Sequence, residues 1–315
     1  MEAGGAGGAG GRGGTERGWT IAVAGASGLI GGALARSLEA DGHRVRRLVR
    51  REPRGGEEIR WDPRSGRLDP AALAGCDAVV NLAGAGVGDK RWTEAYKREI
   101  RDSRVQGTTA LAGAMAAMDT PPKVFLNGSA IGYYGETGDR AVDESAPHGR
   151  GFLPELTVEW EAATEPARSA GVRTVLPRTG LVVARQGGAW GRLFPLFRAG
   201  LGGRLGDGRQ YWSFVALRDE IDALRHLLLT PGLQGPFNVT APAPATNREV
   251  TAAMAKVLRR PAVFAVPAPV LRTVLGGMSQ DVLGSARVLP ARLRESGFVF
   301  SCPDVESAVR AALRD

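Results

Sequence analysis

Short runs of apolar residues alternate along the chain with longer stretches in which apolar residues recur every three or four positions. The short runs predict six strands: WTIAVAG (19–25), HRVRRLVR (43–50), EEIRWD (57–62), DAVVNLAG (77–84), KVFLNGSA (123–130) and VRTVLPRTGLVV (172–183). The longer stretches predict helices over 29–42, from about 92 to 118, and from about 154 to 170. Strands that alternate with helices in this way predict an α/β fold with a doubly wound parallel sheet.

The pattern changes after about residue 185, where glycine-rich loops separate shorter elements. TNRE (246–249) is typical of a capping box and predicts a helix that runs to about residue 258. Trp190 and Trp212 are expected in the core of this part. We predict three regions: a disordered glycine-rich tail (1–18), a nucleotide-binding domain (19–185), and a mainly C-terminal substrate lobe (186–315) over the carboxyl ends of the strands, where ligands bind in open α/β folds.

Composition excludes several other classes of protein. The formal net charge is +8, but 37 of the 41 basic residues are arginines dispersed along the chain, which indicates compositional bias. We therefore expect no nucleic-acid partner. Nine of the first 18 residues are glycine, and this stretch lacks the apolar surface needed to offset its ordering entropy.

The few cysteines and histidines bear on compartment and metal binding. Cys76 and Cys302 do not form a paired motif, and His43, His148 and His226 are scattered. This spacing favours a reducing compartment and argues against a metal site. Because no signal peptide and no long apolar span is visible, we expect a cytoplasmic protein without a membrane partner.

Three glycines spaced three apart lie between the first predicted strand and the first predicted helix. In this setting, backbone N–H groups and the positive end of the helix dipole can bind a pyrophosphate. The alternative is a tight turn with no ligand. Ser27 either donates its hydroxyl to a phosphate or caps the helix. The turn residues expected to contact a dinucleotide are Gly25, Ser27, Gly28, Leu29, Ile30 and Gly31.

The end of the second predicted strand distinguishes NADP from NAD. An NAD site usually places an acid there to accept hydrogen bonds from the ribose 2′-OH. No Asp or Glu occurs between Asp41 and Glu52, and Arg50 and Arg51 occupy the region instead. A guanidinium pairs well with a 2′-phosphate. The sequence therefore favours NADP with Arg50 as the first contact, and solvated surface charge is the alternative.

Two further segments follow predicted strands. Asp62 could accept a hydrogen bond from the adenine amino group, and the backbone of Leu82 and Ala83 could pass beneath the adenosine and ribose. Either segment could equally be only a strand end and a turn.

These residues support a family resemblance from about Trp19 to the end of the chain. The motifs that carry it are GASGLIG, WDP, DAVVNLAG, RWTEAYKREIRDSRV, SAIGYYG, WEAA, RTGLVV, GLGGRLGDGRQ and PFNVTAPAPATNRE, in that order. The chain resembles a divergent epimerase/dehydratase group within the extended short-chain dehydrogenase/reductase superfamily. The resemblance implies a Rossmann-type fold, a nicotinamide cofactor, and an epimerase-like oxidoreductase that acts on a small molecule such as a nucleotide sugar or a carbonyl compound.

The superfamily's usual proton relay is absent. Relatives use a Tyr as acid/base, a Lys four residues later, and an upstream Ser that polarises the carbonyl group. Ser129 lies where that Ser belongs, but the chain has no Tyr-x-x-x-Lys. Alignment with WEAA places Leu153 and Thr157 at the two positions. The missing pair favours a second reading, a non-catalytic protein that senses NADP(H).

Tyr133 and Tyr134 are the candidates to replace the missing acid. A phenol needs a cationic neighbour to act as a base at pH 7, which Arg104 or Arg178 would have to supply. The alternative is that both tyrosines only form the wall of the site.

The resemblance also assigns three further cofactor contacts and one helix cap. Glu99 and Arg104 lie on the helix that faces the cofactor in relatives, although an ion pair between Glu99 and Arg101 or Arg104 is the alternative. Val182 either contacts the nicotinamide through its backbone or packs in the core. Asp219 is expected to cap a helix. In many relatives the long helix and the helix near 154–170 form the interface of a homodimer, which is therefore a possible partner.

Overall fold

The computed structural model describes residues 18–314, so residues 1–17 of the predicted tail lie outside the described residues. The strands are β1 (Thr20–Ala24), β2 (Arg44–Val49), β3 (Glu58–Arg60), β4 (Ala78–Asn81), β5 (Val124–Asn127), β6 (Ser129–Ala130), β7 (Ala141–Val142), β8 (Arg173–Thr179), β9 (Leu181–Val183), β10 (Gly203–Leu205), β11 (Tyr211–Trp212), β12 (Phe214–Ala216), β13 (Gly235–Val239), β14 (Ala245–Thr246), β15 (Phe264–Val266) and β16 (Arg287–Val288). The helices are α1 (Leu29–Ala40), α2 (Glu94–Ala116), α3 (Phe152–Ala162), α4 (Glu165–Ser169), α5 (Gly188–Arg198), α6 (Leu217–Leu229), α7 (Asn247–Leu258), α8 (Ala268–Leu275), α9 (Ser279–Leu283), α10 (Ala291–Glu295) and α11 (Val305–Ala312).

The central sheet has the order β13-β8-β5-β4-β1-β2-β3, with β6 beside the end of β8. All of its strand pairs are parallel. The order reverses between β1 and β4, which places a crevice at the carboxyl ends of these two strands. The prediction of a doubly wound parallel sheet is confirmed.

Both faces of the sheet are covered, as β1 illustrates. Ile21 and Val23 face one layer, where they belong to the same core cluster as Leu34 of α1 and Leu224 of α6. Ala22 and Ala24 point to the opposite face, toward the cluster that contains residues of α2. Successive residues of a strand point to opposite faces, so a run that is apolar throughout indicates a strand buried on both sides.

The second half of the chain contributes to this sheet. Strand β13 forms one edge by pairing with β8, and helix α6 packs against the same face of the sheet as α1. The sequence pattern did not predict β13. The division of the chain near residue 185 stays a prediction, and the described structure shows that elements beyond that point complete the central sheet.

Two predicted elements are interrupted. The sixth predicted strand breaks at Gly180, after which β9 leaves the central sheet and pairs with β12. A Cβ atom at Gly180 would lie 2.7 Å from the carbonyl oxygen of Ser213, so only glycine allows this close approach. The helix predicted near 154–170 is wrong as a single element, because α3 ends at Ala162 and Pro166 lies in the first turn of the separate helix α4.

Smaller elements in the second half of the chain enclose a second core. Trp190 and Trp212 are buried in it, which confirms their predicted place. Thr246 and Glu249 form the predicted capping box of α7.

Asp219 was wrongly assigned as a cap. Helix α6 begins after Ala216 without a side-chain cap, and the Asp219 carboxylate accepts the N–H groups of Ser301 and Cys302 at 3.0 and 2.8 Å.

No helix within residues 18–314 combines the length and the apolar character that crossing a membrane requires.

Candidate functional site

The three glycines of the first turn bring the backbone of several elements into close contact. Gly25 has a φ of +81°, and a Cβ atom there would lie 2.6 Å from the carbonyl carbon of Leu82. A Cβ atom at Gly31 would lie 2.2 Å from the carbonyl oxygen of Gly25. The N–H of Gly28 donates to that same oxygen at 2.9 Å. These contacts make the turn narrow and bring its backbone close to the end of β4.

The first turn of helix α1 is open to an anion. Its N-cap, Gly28, makes no side-chain hydrogen bond, and the first turn contains no acidic residue. The first N–H groups of a helix have no partner within the helix and carry its positive dipole end. Ser27 is exposed and does not cap the helix, so that alternative is wrong. A groove of about 590 Å³ between α1 and α6 reaches the turn at Ser27, Gly28 and Leu29, but most of its lining comes from the two helices. A diphosphate therefore fits this turn.

Arg50 and Arg51 have different surroundings at the end of β2. Arg51 forms an ion pair with Glu58 and donates to the carbonyl oxygen of Glu52. Arg50 is exposed and makes no hydrogen bond with another described residue. Leu48 is in register with Ala24, so Arg50 lies level with the glycine turn. Of the two arginines, Arg50 is the one available to a ligand.

Asp62 has a local structural role at the end of β3. Its Oδ1 accepts the N–H of Arg64 at 3.0 Å and caps a 3₁₀ turn over Pro63–Ser65. Its side chain is exposed, and contact with adenine stays a prediction.

The segment after β4 lies against the glycine turn. The N–H of Leu82 donates to Ala24 at 3.0 Å, and the N–H of Ala83 donates to Oδ1 of Asn81 at 3.3 Å. Asn81 is buried and donates to Oδ1 of Asn127 at 2.7 Å. Helices α2 and α3 complete this buried network through Thr108 and Trp160. The network fixes the backbone of residues 82–83 at the place where the sequence predicts a cofactor contact.

Arg104 lies beneath the next part of this segment. Its guanidinium donates to the carbonyl oxygens of Ala85 and Ile100 at 2.9 and 3.1 Å. It also lies 5.2 Å from the centre of the Trp160 ring. Burial lowers the pKa of Arg104 to about 10, which still leaves the group charged at neutral pH.

Glu99 and Val182 lie farther along the site. The Glu99 carboxylate pairs with Lys90 at 3.2 Å, so the predicted alternative pairing with Arg101 or Arg104 is wrong. Val182 lies in β9 in register with Val215 and is partly buried. Their contacts with a cofactor stay predictions.

Ser129 and Tyr134 belong to a buried network around one ion pair. Arg178 donates from Nε and Nη2 to the two carboxylate oxygens of Glu161, each at 2.8 Å. Ser129 donates to the same carboxylate at 2.6 Å. The Tyr134 hydroxyl accepts from Arg178 at 2.9 Å and donates to Asn238 at 2.8 Å. Burial raises the pKa of Tyr134 to about 12 despite the neighbouring guanidinium. The geometry therefore does not favour Tyr134 as a base.

Tyr133 differs from Tyr134 in that its hydroxyl makes no hydrogen bond with another described residue, and its side chain is partly exposed. Arg178 lies 3.4 Å from the centre of its ring. Leu153 and Thr157 lie on α3 beside Gly132, and the Thr157 hydroxyl donates to its own helix at Leu153, 2.7 Å away. Neither position supplies a titratable group.

Sequence reasoning missed Glu161 and Asn238. Glu161 lies within the WEAA motif, and Asn238 within PFNV, but the motifs did not show that these side chains meet Arg178 and Tyr134. Arg178 and Asn238 are paired residues on neighbouring strands, which only the register of β13 against β8 reveals.

The reversal of strand order, the narrow glycine turn and the uncapped helix α1 define a Rossmann-type dinucleotide-binding fold. A profile for the NAD dependent epimerase/dehydratase family matches residues 21–240. The chain belongs to this family. A second profile, described as a domain of unknown function (DUF1731), matches residues 266–312.

Several known proteins are similar along nearly the whole chain. Epimerase family protein Mb2239 of Mycobacterium bovis is 46% identical over 281 residues, which cover 89% of this chain and 93% of that protein. The crystal structure of human epimerase family protein SDR39U1 (isoform2) with NADPH is 32% identical, has a TM-score of 0.87, and matches 94% of this chain and 99% of its own. A nucleoside-diphosphate sugar epimerase from Corynebacterium glutamicum is also 32% identical, with a TM-score of 0.79 over 94% of this chain and 58% of its own.

Proposed function

We propose that the protein binds NADP(H) across the carboxyl ends of β1, β2 and β4. The diphosphate meets the N–H groups at the start of α1, and Arg50 pairs with the 2′-phosphate. The observation that carries the proposal is the narrow turn at Gly25 and Gly31, where a Cβ atom at Gly31 would collide with backbone. The human relative, whose structure contains NADPH, supports the same cofactor.

We further propose that the protein is an epimerase-like oxidoreductase of a small molecule, either a nucleotide sugar or a small carbonyl compound. A bound nicotinamide would supply hydride transfer. Of Ser129, Tyr133 and Tyr134, only the Tyr133 hydroxyl is not engaged by another described residue, so we assign the proton donor to Tyr133. Ser129 and Tyr134 then hold the network that supports it, and Arg178 packs directly on the Tyr133 ring.

A second candidate function is sensing of NADP(H) without catalysis. The observation that favours it is the pair Leu153 and Thr157, which places no acid or base where relatives have both. Burial of the Tyr134 hydroxyl adds to this argument.

Oxidation of NADPH, measured by absorbance across a panel of carbonyl compounds and nucleotide sugars, tests the two functions. The enzyme hypothesis predicts turnover above background with at least one substrate. Tyr133→Phe should then reduce turnover by about a hundredfold, the contribution typical of a general acid. Tyr134→Phe is the matched variant and should retain most of the turnover in the protein that remains folded.

Two results would contradict this account. Full turnover by Tyr133→Phe would remove Tyr133 as the acid, and absence of turnover throughout the panel with intact NADPH binding would favour the sensor. A homodimer through α2 and the α3–α4 region stays a prediction for which the oligomeric state in solution is the measurement.

A further inference from the structure

Arg104 is a largely buried cation without a carboxylate partner. Its hydrogen bonds go to the carbonyl oxygens of Ala85 and Ile100, and within the part of the chain that the structure describes no ion pair includes it. Arg178 provides the contrast, because its buried guanidinium is paired with Glu161 at 2.8 Å. A buried charge is costly unless an opposite charge compensates it. The two carbonyl dipoles compensate the charge of Arg104 only in part, so a positive field remains at its position.

The position of this charge is at the carboxyl end of β4. A Cβ atom at the exposed Gly84 would lie 3.2 Å from Cζ of Arg104, so little more than the glycine backbone separates the guanidinium from the crevice. The Trp160 ring lies on the other side, 5.2 Å from Arg104, and a Cβ atom at Gly128 would lie 3.4 Å from that ring. Arg104 is thus situated beneath the ends of β4 and β5.

The two ends of the crevice differ in what they present to a dinucleotide. Arg50 lies at the end of β2, on one side of the point where the strand order reverses. Arg104 lies beneath β4, on the other side. If Arg50 meets the adenosine half and residues 82–83 pass beneath its ribose, the nicotinamide half continues beyond them toward β5, on the side of Arg104.

The two redox states of the cofactor differ at this half. The oxidised nicotinamide ring carries a positive charge, and the reduced ring is neutral. A cation in a low-dielectric site repels the oxidised ring and leaves the reduced ring unaffected. The Glu161–Arg178 pair adds little net charge, because its two members neutralise one another.

We propose that Arg104 makes the site select the reduced cofactor, so that the protein binds NADPH more tightly than NADP⁺. This inference rests on the proposed function, since it requires NADP(H) to bind at the crevice. The inference also specifies both candidate functions further. An enzyme would act as a reductase that binds its hydride donor preferentially, and a sensor would respond to NADPH rather than to the total concentration of NADP⁺ and NADPH.

Calorimetric titration of the full chain with NADPH and NADP⁺ tests the inference. We expect NADPH to bind about tenfold more tightly, as for a charge several ångströms away in a protein environment. Arg104→Met largely keeps the packing on Trp160 but removes the charge. The affinities of this variant for NADPH and NADP⁺ should then agree to within about twofold. Arg104→Lys keeps the charge and should retain most of the ratio.

Two controls separate this effect from others. Arg98→Met removes one exposed charge from the same helix and should leave the ratio unchanged. Arg50→Ala should weaken both nucleotides by the same factor, because the 2′-phosphate is common to them. The ratio of the affinities for NADPH and NADP⁺ in the wild-type protein is measured without any variant. That measurement therefore remains valid even where Arg104→Met folds poorly.

Equal affinities for NADPH and NADP⁺ in the wild type would overturn the inference. So would equal weakening of both by Arg104→Met, which would place Arg104 on a phosphate or in a purely structural role. Absence of heat with either nucleotide would instead overturn the proposed function, and this inference with it.

Discussion

Gly31 shows at the scale of one residue how the turn excludes a side chain. A Cβ atom there would lie 2.2 Å from the carbonyl oxygen of Gly25, so Gly31→Ala must displace backbone at the predicted diphosphate site. We expect this variant to bind NADPH at least about tenfold more weakly, because the displaced backbone supplies the binding N–H groups.

Gly113→Ala is the matched control for this prediction. Gly113 lies within helix α2, and a Cβ atom there would meet no atom within 4 Å. The control should bind NADPH normally and raise the stability by up to about 1 kcal/mol, since alanine is the better helix former. Normal NADPH binding by Gly31→Ala would count against the placement of the diphosphate.

Arg50 should determine the preference for the 2′-phosphate. Loss of a charge-assisted hydrogen bond of about 1.5–3 kcal/mol predicts that Arg50→Ala binds NADPH about ten- to a hundredfold more weakly. Its affinity for NADH should not fall. Arg44→Ala changes an exposed arginine at the opposite end of the same strand, and it should affect neither affinity. Equal losses for NADPH and NADH in Arg50→Ala would contradict the assignment.

Glu220 makes the stability depend on pH. Its side chain is fully buried beneath β8, where Oε1 accepts from Thr179 at 2.8 Å and Oε2 has no partner among the described residues. Burial raises the pKa of Glu220 to about 8. The folded state therefore retains a proton that the unfolded chain releases near its ordinary pKa.

The sign of this pH dependence follows from proton linkage. Between the ordinary carboxyl pKa and about 8, the folded state binds more protons, so the free energy of unfolding decreases as the pH rises. We expect a loss of at least about 1 kcal/mol across this range in denaturant titrations. Glu220→Gln should flatten the profile. An unchanged profile in this variant would show that another group is responsible.

Two of the acidic residues of helix α3 lie in different surroundings, which allows a test at the scale of an element. Glu161 pairs with the buried Arg178, and Glu159 pairs with Arg101 on the surface. Glu161→Gln leaves a buried guanidinium without its anion, and we expect a loss of about 3–5 kcal/mol in the free energy of unfolding. Glu159→Gln should cost less than about 1 kcal/mol. Similar losses in the two variants would argue against the structural importance of the buried pair.

The elements that the sequence predicted well are those whose residues form a recognisable local pattern. Strand β1, helix α1 and the capping box of α7 have apolar spacing and end residues that can be read without knowledge of their neighbours. Strand β13 contains Pro236, and its place beside β8 depends on tertiary packing. The break at Gly180 depends on a contact with Ser213, 33 positions farther along the chain, which no local pattern contains.

The same distinction applies to the site. The glycine turn could be predicted because one short motif contains it, whereas the role of Arg50 stays a prediction. The hydrogen bonds of Ser129 and Tyr134 could not be predicted, because their partners lie on separate elements. These partners are Glu161, Arg178 and Asn238. Asp219 was misread for this reason, because its true partners are the N–H groups at Ser301 and Cys302.

At the scale of the whole molecule, the chain combines a family fold with a sequence that contains no Tyr-x-x-x-Lys motif. The central sheet, the profile match over residues 21–240 and the similarity to human SDR39U1 establish the family. That Leu153 and Thr157 stand at the positions of the missing pair stays a prediction from the resemblance. What the molecule retains most completely is the architecture of the cofactor crevice, and its proposed function therefore begins with NADP(H) binding.

Isothermal titration of the folded full-length protein with NADPH and NADH tests this central claim most directly. The account predicts saturable binding of NADPH and an affinity for NADH that is at least about tenfold weaker, because NADH lacks the phosphate that Arg50 would pair with. Absence of heat with NADPH, or an equal affinity for NADH, would contradict it.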